Sequence, residues 1–486
     1  MTIHWTTSEE PAGAPAAGAG PDGGPELLLP LERGAGEPLR GQLEHSLRGA
    51  IRQGRLKPGT RLPSSRALAT DLGISRGLVV EAYAQLTGEG YLEARQGSGT
   101  RVAVHAGHPP SPPDRGPAPA RTTTPRIDFR PGAADASGFP RSAWAASLRR
   151  ATLTAPPASL GYPDPRGVPE ARAALAAYLG RVRGVDVEAD GLLITSGFAQ
   201  GLALLARALP ARYSRAVAVE DPGSPGAVGQ VQRAGLRPVP VGVDAEGMRV
   251  DQLAASAARL ALVTPAHQFP TGVVLGPRRR AELLAWAAGS DALVLEDDYD
   301  AEFRYDREPV GALQGLAPDL VVYGGSLSKT LSPALRLGWL VPPRHLLAAL
   351  VDAKYDADLG SPTLEQLAFA DLLSSGAYDR HLRAGRARHR RRRDALVRAL
   401  ARHAPSLRVR GTAAGLHAVV ELPAGTDEED LVRRAAAAGI GLYGLGGFHL
   451  AGRSPTPGLV LGYGSLSEGE ISAGVEVLAD LLDSRA

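Results

Sequence analysis

The sequence predicts an α/β fold, with a large body of alternating strands and helices preceded by a small unit of helices and one β-hairpin. Two observations predict the body. The apolar run Ala292–Leu295 and the segment Asp319–Tyr323 indicate buried strands, and polar residues follow each of them at its carboxyl end. A third observation, a Pro-rich segment at 105–125, predicts a semi-rigid linker between the two parts.

Composition limits the class of protein. The 486 residues suffice for two or three domains, and the 44% hydrophobic and 22% charged fractions are typical of a globular chain. The absence of cysteine excludes disulfides and thiolate metal sites, and we expect a cytoplasmic protein without a metal. No run approaches the ~18 apolar residues of a membrane helix. Residues 1–37 are predicted to be a disordered leader, not a signal peptide.

The small unit is predicted at residues 38–104 and begins with a helix that ends near Gly54. The apolar residues of this helix recur at helical spacing: Leu39, Leu43, Leu47 and Ile51. Ser64 or Ser65 is predicted to cap a second helix and Ser75 a third, because a serine oxygen accepts free N–H groups at a helix start. The third helix is expected to turn four residues inward: Val79, Val80, Tyr83 and Leu86.

A β-hairpin follows these helices, with predicted strands at Tyr91–Ala94 and Thr100–Val104. Three helices and a hairpin in this order make a winged helix-turn-helix. Within residues 38–104 there are ten Lys and Arg against five Asp and Glu, a net charge of +5, whereas the whole chain carries +3. A basic excess in one small unit indicates a surface that binds the phosphates of double-stranded DNA.

A lysine directly after a predicted strand is the main chemical signal of the body. Lys329 follows Asp319–Tyr323, stands beside Ser326 and Ser328, and precedes Arg336 by seven residues. A lysine amine forms a Schiff base with a carbonyl, while hydroxyl and guanidinium groups hold a phosphate. The pattern suits a cofactor that carries both groups. Alone, the motif would more simply be a surface lysine and arginine beside a turn.

A second motif, Glu296–Asp300, lies about thirty residues upstream. Side chains alternate along a strand, so Asp297 and Tyr299 are predicted to point one way, and Glu296 and Asp298 the other. A carboxylate beside a pyridine nitrogen keeps that nitrogen protonated, and a phenol hydrogen-bonds the ring oxygen O3′. Four acids in five residues would otherwise indicate a solvated loop. Together, the two motifs predict a site for pyridoxal 5′-phosphate.

The small unit resembles the GntR family of DNA-binding domains. The resemblance rests on three motifs: Leu62–Arg66, Leu72–Arg76 and Arg95–Thr100. It implies that Arg66, Ser75 and Arg76 face DNA at the starts of helices two and three, and that Arg95 and Gly97 belong to a DNA-contacting wing. A single arginine is more often a solvated surface charge, but several at matching positions in one basic unit favour DNA contact.

The body resembles the fold type I aminotransferases along nearly its whole length. The matching motifs are Gly161–Gly167, Thr195–Gly197, Pro265–Gly272 and Arg278–Arg280. A GntR-like winged helix joined to such a body is similar to the MocR/GabR subfamily of bacterial transcription regulators. The resemblance covers about residues 38–104 and 126–486.

This resemblance implies roles for individual residues of the body. It implies that Lys329 carries the Schiff base of pyridoxal 5′-phosphate, that Asp297 is the partner of the pyridinium and that Tyr299 donates to O3′. Further residues are implied to contact the cofactor or its phosphate: Ser326, Ser328, Arg336, Phe198, Ala199 and His267. For Phe198 and Ala199 the alternative is an ordinary helix cap, and for His267 it is a structural histidine. The resemblance also implies a homodimer with its sites at the interface.

Three departures from the aminotransferase pattern bear on activity. Ser224 stands where many relatives have a ring-stacking tyrosine, and Phe269 where aminotransferases have asparagine before Pro-Thr-Gly. Val460 stands where they have the arginine that binds the substrate carboxylate, a contact of ~1.5–3 kcal/mol. Arg408 or Arg410 is a candidate replacement. We therefore expect a DNA-binding regulator that senses pyridoxal 5′-phosphate or its adduct with a small amine or amino acid. The alternative is a working aminotransferase with an accessory DNA-binding domain.

The Arg-rich run at 383–393 has two interpretations. It binds DNA phosphates, or it is a helix that lines the surface or the dimer interface of the body, and we favour the second.

Among the physiologies of the subfamily, the missing carboxylate clamp favours control of vitamin B6 synthesis over control of amine use.

Overall fold

The structure is a computed structural model that describes residues 31–33, 36–95, 99–105, 125–132, 135–210, 213, 215–305, 310–411, 413–450 and 454–484. The chain forms two compact units, Met1–Thr122 and Thr123–Ala486. No helix among the described residues is both long enough and apolar enough to cross a membrane.

The amino-terminal unit contains three helices and a hairpin. The helices are α1 (Leu39–Arg52), α2 (Ser65–Leu72) and α3 (Arg76–Gly88), and strands β1 (Leu92–Arg95) and β2 (Gly99–Val102) pair antiparallel. Its core includes side chains that are at most 1% exposed: Leu43, Leu47, Ile51, Leu68, Val79 and Leu86. The predicted winged helix-turn-helix is confirmed.

Local hydrogen bonds set the helix boundaries of this unit. The hydroxyls of Ser64 and Ser75 each accept a backbone N–H three residues further on, at 3.1 and 3.4 Å. Gly73 ends α2 in the left-handed region, at φ +62°. The prediction that Val80 turns inward is wrong, because its side chain is 47% exposed. It follows the buried Val79 directly, and one residue rotates the side chain by about 100° around a helix.

The body contains a large mixed sheet and a smaller antiparallel one. Its strands are β3 (Ile127–Asp128), β4 (Leu193–Thr195), β5 (Ala216–Asp221), β6 (Arg237–Asp244), β7 (Gly247–Met248), β8 (Leu260–Val263), β9 (Leu293–Asp298), β10 (Val321–Ser326), β11 (Gly338–Val341), β12 (Arg408–Arg410), β13 (His417–Glu421), β14 (Ile440–Gly441), β15 (Tyr443–Gly444) and β16 (Gly458–Gly462). Eight of them form one sheet in the order β4-β11-β10-β9-β8-β5-β6-β7. The run from β10 through β9, β8 and β5 to β6 is parallel, so the carboxyl ends of these strands meet at one edge.

Helices cover both faces of the large sheet. The helices of the body are α4 (Arg141–Thr154), α5 (Pro169–Arg183), α6 (Phe198–Ala208), α7 (Pro225–Arg233), α8 (Val250–Ala254), α9 (Pro277–Gly289), α10 (Arg344–Asp358), α11 (Thr363–Ser374), α12 (Ala377–His403), α13 (Glu428–Ala437) and α14 (Glu468–Asp483). In β9, Leu293 and Leu295 join one apolar core while Val294 joins another, which confirms the predicted α/β body. The smaller sheet has the order β12-β13-β16-β15, and its core includes residues from α12, α13 and α14.

Strand β9 extends further than its apolar residues predict. The sequence indicates a strand at Ala292–Leu295 with acids beyond its end, whereas the strand runs on through Glu296 and Asp298, both buried. The carboxylate of Glu296 accepts two backbone N–H groups at 3.0 and 3.2 Å. Asp298 pairs with Arg183 at 2.7 Å. These buried carboxyl groups are tolerated because each has hydrogen-bonding partners.

The Arg-rich run lies within the long helix α12. Arg388 and Arg392 bind the carboxylate of Asp135 at 2.7 and 2.9 Å, and Arg386 donates to the carbonyl of Glu302 at 2.9 Å. These three arginines therefore stabilise the body, which supports the structural interpretation for three of the seven arginines in the run.

The buried pair of Arg183 and Asp298 supplies a stability prediction. Arg183→Met leaves Asp298 buried without its cation, so we expect the free energy of unfolding of the body to fall by about 3–5 kcal/mol. Urea titration followed by circular dichroism measures this change. The control is Arg181→Met on the same helix, whose side chain is 58% exposed and pairs with Asp379. We expect a change within about 0.5 kcal/mol there. Equal effects of the two variants would contradict the prediction.

Candidate functional site

Lys329 lies on the wall of a cavity of about 840 Å³ at the carboxyl edge of the large sheet. It follows β10 by three residues, and the cavity wall also includes Asp297 and Tyr299. Its ammonium donates a hydrogen bond to the carbonyl of Gly132. Burial lowers the pKa of Lys329, although the nearby Asp300 and Asp297 oppose this effect. A lowered pKa favours the neutral, nucleophilic amine.

Asp297 is a carboxyl group without a hydrogen-bond donor among the described residues. Burial raises its pKa to about 8, and the charges of Asp298 and Asp300 add to the rise while Lys329 opposes it. A carboxyl group in this state accepts a hydrogen bond from a cationic N–H of a ligand readily, because that bond replaces the hydration that the group loses on burial. The group fits a protonated ring nitrogen.

Strand alternation separates the acids as the sequence predicts. Asp297 and Tyr299 face the cavity, while Asp298 points to the other side of the sheet, where it accepts hydrogen bonds from Arg183 and from the Tyr323 hydroxyl at 2.6 Å. Only the cavity-facing pair is available to a ligand.

His267 lies behind Tyr299 rather than on the cavity wall. The Tyr299 hydroxyl donates to the His267 carbonyl at 2.9 Å, and His267 Nδ1 lies 2.9 Å from a carboxylate oxygen of Asp300. His267 is only 3% exposed, so its contact with a ligand in the cavity would pass through Tyr299. The histidine on the cavity wall is His417, which the sequence analysis missed.

The five residues predicted to bind phosphate come from three neighbouring strand ends. Gly338 of β11 pairs with Ser326 on one side and with Thr195 on the other, which brings the turn after β10 next to the start of α6. Ser328 donates its backbone N–H to the Ser326 hydroxyl at 3.4 Å. Helix α6 begins with Phe198 and Ala199 directly after Gly197.

Arg336 lies next to the start of α6. A Cβ atom at Gly197, whose φ is +109°, would lie 3.1 Å from a terminal nitrogen of Arg336, so glycine lets the guanidinium approach the helix start this closely. Arg336 is exposed and forms no ion pair with a described residue. A guanidinium without a counter-charge and the free N–H groups of a helix start suit a phosphate. The residues present thus fit both the ring and the phosphate of pyridoxal 5′-phosphate.

A buried glutamate of the site was also missed. Glu220 is the fifth residue of β5 and Asp297 is the fifth residue of β9, and this shared position near the strand end was the available signal. Glu220 lines the cavity and accepts hydrogen bonds from the Thr264 hydroxyl at 2.5 Å and from Gln268 at 3.3 Å. Burial raises its pKa to about 7.

The position of the expected carboxylate clamp is apolar. Val460 is fully buried and packs with Val419 and Phe448. Neither candidate replacement, Arg408 or Arg410, lies on the cavity wall, because both belong to the edge strand β12, separated from β16 by β13. Arg410 pairs with Glu421.

The predicted DNA contacts are exposed where the structure describes them. Arg66, Ser75 and Arg76 lie on the surface at the starts of α2 and α3, and Arg76 Nε donates to the Ser65 hydroxyl at 3.4 Å. The backbone of Arg95 belongs to β1. The side chain of Arg95 and the whole of Gly97 lie outside the described residues.

Two family models match the chain. "Bacterial regulatory proteins, gntR family" matches residues 39–102, and "Aminotransferase class I and II" matches residues 132–446. Among solved structures, the kynurenine aminotransferase of Pyrococcus horikoshii aligns at a TM-score of 0.68 and 26% identity, over 75% of this chain and 92% of the enzyme. LysN, the α-aminoadipate aminotransferase of Thermus thermophilus, aligns at 0.66 and 29%, over 74% and 92%. The first is a complex with PMP and the second with N-(5′-phosphopyridoxyl)-L-leucine.

Curated relatives match over both units. The probable rhizopine catabolism regulatory protein MocR of Rhizobium meliloti is 34% identical over 93% of this chain and 95% of the relative. The pyridoxine biosynthesis transcriptional regulator PdxR of Corynebacterium glutamicum is 35% identical over 94% and 98%. Because these matches join a GntR DNA-binding unit to an aminotransferase-like body, the chain belongs to the MocR/GabR subfamily of GntR-type transcription regulators.

Proposed function

We propose that this regulator binds pyridoxal 5′-phosphate through Lys329, and that occupancy of this site sets how the winged helix binds operator DNA. The observation that carries the proposal is the set of groups around Lys329. A carboxyl group without a donor, a phenol and an anion cradle lie at the same sheet edge as the lysine. Each of these groups matches one functional group of the cofactor.

Bound pyridoxal 5′-phosphate would supply an electrophilic carbonyl carbon on an electron-withdrawing ring. Lys329 would hold that carbon through its amine, whose lowered pKa favours the nucleophilic form. Asp297 would hold the proton on the ring nitrogen. The Tyr299 hydroxyl, which donates to the His267 carbonyl in this structure, would turn its proton to the ring oxygen. Ser326, Ser328, Arg336 and the N–H groups of Phe198 and Ala199 would bind the phosphate.

The wall around Val460 supports sensing rather than transamination. A transaminase must orient an amino acid by its carboxylate, and a buried valine in the apolar cluster offers that carboxylate no donor. A working aminotransferase is the second candidate, favoured by the complete set of Lys329, Asp297 and Tyr299. Incubation with a panel of amino acids and a keto acid separates the two, since only an enzyme forms product over many turnovers.

Control of vitamin B6 metabolism is the physiology that we propose. The relative of 35% identity is named as a regulator of pyridoxine biosynthesis, and a site without a carboxylate clamp suits the cofactor itself as the signal. A small amine or amino acid that binds beside the cofactor remains the alternative signal.

We also propose that the protein acts as a homodimer. Four large apolar side chains of the body are more than 60% exposed, and three of them lie close together in the chain: Leu153, Leu160 and Tyr162. Such side chains favour an interface between protomers. Two winged helices would then read paired half-sites on double-stranded DNA.

The first prediction concerns Lys329. The purified protein is expected to absorb visible light with the cofactor bound, and Lys329→Ala to abolish that absorption. Borohydride reduction followed by peptide mapping is expected to find the cofactor on Lys329. The matched control is Lys57→Ala, which removes an exposed lysine of the other unit and should leave the spectrum unchanged. Label on Lys57 or Lys354, the other lysines of the sequence, would contradict the assignment.

The second prediction concerns the charge of Asp297. Its pKa is 3.8 in the unfolded chain and about 8 in the folded protein, so folding takes up a proton between these pH values. The stability from that proton is complete below pH 3.8 and is lost as pH rises through about 8. Asp297→Asn removes this titration. Between pH 5 and pH 9, we expect the unfolding free energy to fall less in the cofactor-free variant than in the cofactor-free wild type. The difference between the two falls should be roughly 1 kcal/mol or more.

Urea titrations at several pH values give the unfolding free energy as a function of pH, and the slopes of the variant and the wild type are then compared. The exposed Asp480→Asn is the control, and it should keep the wild-type slope. Asp297→Asn should also weaken cofactor binding, because the ring N–H loses its counter-charge. A wild-type slope together with wild-type cofactor affinity would contradict the role of Asp297.

The third prediction concerns DNA. Arg76→Ala is expected to lower operator affinity by at least about tenfold with an unchanged cofactor spectrum. Arg48→Ala, which removes a guanidinium already paired with Glu89 at 2.8 Å, is the control. Lys329→Ala should keep salt-sensitive nonspecific binding but change operator affinity or the spacing of protected half-sites. Superimposable footprints and equal affinities of cofactor-free, cofactor-bound and Lys329→Ala protein would contradict the sensing proposal.

A further inference from the structure

A buried lysine to which the cofactor site gives no role lies on helix α10. The side chain of Lys354 is fully buried, and its ammonium donates to both carboxylate oxygens of Asp358, at 2.6 and 2.7 Å. Burial lowers the pKa of Lys354, and the hydrogen bond to Asp358 opposes this effect. A buried ammonium is costly unless a carboxylate pairs with it. The pair therefore holds a carboxylate in place near the end of α10.

Asp358 connects this helix to the start of α6. Its oxygen Oδ2 accepts a hydrogen bond from Nε2 of Gln200 at 2.7 Å. Burial acts to raise the pKa of Asp358, but the hydrogen bonds from Lys354 and Gln200 outweigh it, so the pKa lies below its usual value. The carboxyl group is therefore ionised at neutral pH, and it can only accept hydrogen bonds.

The side-chain amide of Gln200 meets its two neighbours in one orientation. Its Nε2 faces the carboxylate of Asp358, which only accepts, and its Oε1 faces the backbone N–H of Ser196 at 2.7 Å, which only donates. Turning the amide over would place oxygen against oxygen and N–H against N–H. Asp358 thus selects the orientation in which Gln200 binds the N–H of Ser196.

Ser196 belongs to the turn that carries the proposed phosphate contacts. It precedes Gly197, whose φ is +109° and which lets Arg336 approach the helix start. Phe198 and Ala199 follow as the first residues of α6, so their N–H groups have no acceptor within the helix. The hydrogen bond from Ser196 to Gln200 therefore fixes the turn two residues before the N–H groups that are proposed to bind the phosphate.

We propose that Lys354, Asp358 and Gln200 are positioning residues that hold the turn before α6 in the shape that binds the cofactor phosphate. The inference rests on the proposed function, because that phosphate belongs to pyridoxal 5′-phosphate. A turn that is already held in its binding shape loses less conformational entropy when the ligand arrives, and this raises affinity. The effect acts on the phosphate and not on the ring, whose proposed partners Asp297 and Lys329 follow other strands.

The alternative is that Lys354 and Asp358 only stabilise α10. The two residues are four positions apart on one helix, a spacing at which opposite charges stabilise an isolated helix. In that case, removing the connection to α6 would not distinguish one ligand from another. The hydrogen bond from Gln200 favours the positioning role, because it leaves α10 and continues to the backbone of Ser196.

The test compares two ligands that differ by the phosphate. Pyridoxal 5′-phosphate and 5′-deoxypyridoxal carry the same ring and carbonyl, and each is titrated into cofactor-free, full-length protein while visible absorption is followed. We expect the wild type to bind pyridoxal 5′-phosphate at least about a hundredfold more tightly. Gln200→Met should reduce this preference by about tenfold and leave the affinity for 5′-deoxypyridoxal within about twofold of the wild type.

Further variants test whether Asp358 acts through Gln200. Asp358→Asn should reduce the preference by about threefold, and in the Gln200→Met background it should change it by less than about twofold. Asp356→Asn is the matched control and should keep the wild-type preference. Asp356 lies on the same helix and pairs with Arg207 of α6 at 3.7 Å, but both side chains are more than half exposed. Because Asp358→Asn leaves the buried ammonium of Lys354 with a neutral partner, Gln200→Met, which keeps the ion pair, is the deciding variant.

The outcomes separate this inference from the function on which it rests. A wild-type preference in Gln200→Met, or equal losses of affinity for the two ligands, would overturn the inference while cofactor binding at Lys329 stands. Equal affinities of the wild type for the two ligands would do the same, because the phosphate would then contribute nothing. A wild type that binds neither ligand would overturn the proposed function and the inference together.

Discussion

The parallel pairing of β9 with β10 is the contact on which the site depends. Its register sets Asp297 opposite Gly324 and Asp298 opposite Gly325, so the carboxylate and the turn that carries Lys329 open on one cavity. Glycine is required at both positions of β10. A Cβ at Gly324 would lie 2.8 Å from the Phe198 ring, and one at Gly325 would lie 2.6 Å from the indole nitrogen of Trp339. Close packing of the sheet thus keeps the start of α6, the strand ends and the lysine within reach of one small molecule.

Two neighbouring acids of β9 have opposite roles because a strand alternates its faces. Asp298 is satisfied by Arg183 and Tyr323 and contributes to the body's internal structure. Asp297 is left without a donor and carries a raised pKa, which is a cost that a bound cationic N–H would remove. A site with a buried carboxyl group that lacks a donor is less stable when empty, and ligand binding then shifts the balance between its states.

The body shares the aminotransferase fold but differs from those enzymes near Lys329. The enzymes with this fold orient amino acids, yet here the cavity wall includes Phe269 and Phe448, which pack with the fully buried Val460. Changes in a few wall residues alter which ligand can be held while the fold is kept. The linked GntR unit adds a basic excess, with Arg66 and Arg76 exposed at helix starts.

The sequence by itself determined the features that depend on neighbours along the chain. The caps at Ser64 and Ser75 and the alternation around Asp297 require contacts only two or three residues apart. Family motifs then added the winged helix and the α/β body. The burial of Glu296, the place of His267 behind Tyr299 and the roles of Glu220 and His417 were decided by the tertiary structure. Each depends on partners distant in the chain, such as Leu313 for Glu296 or Asp300 for His267, and local spacing does not encode which distant groups will satisfy a buried polar side chain.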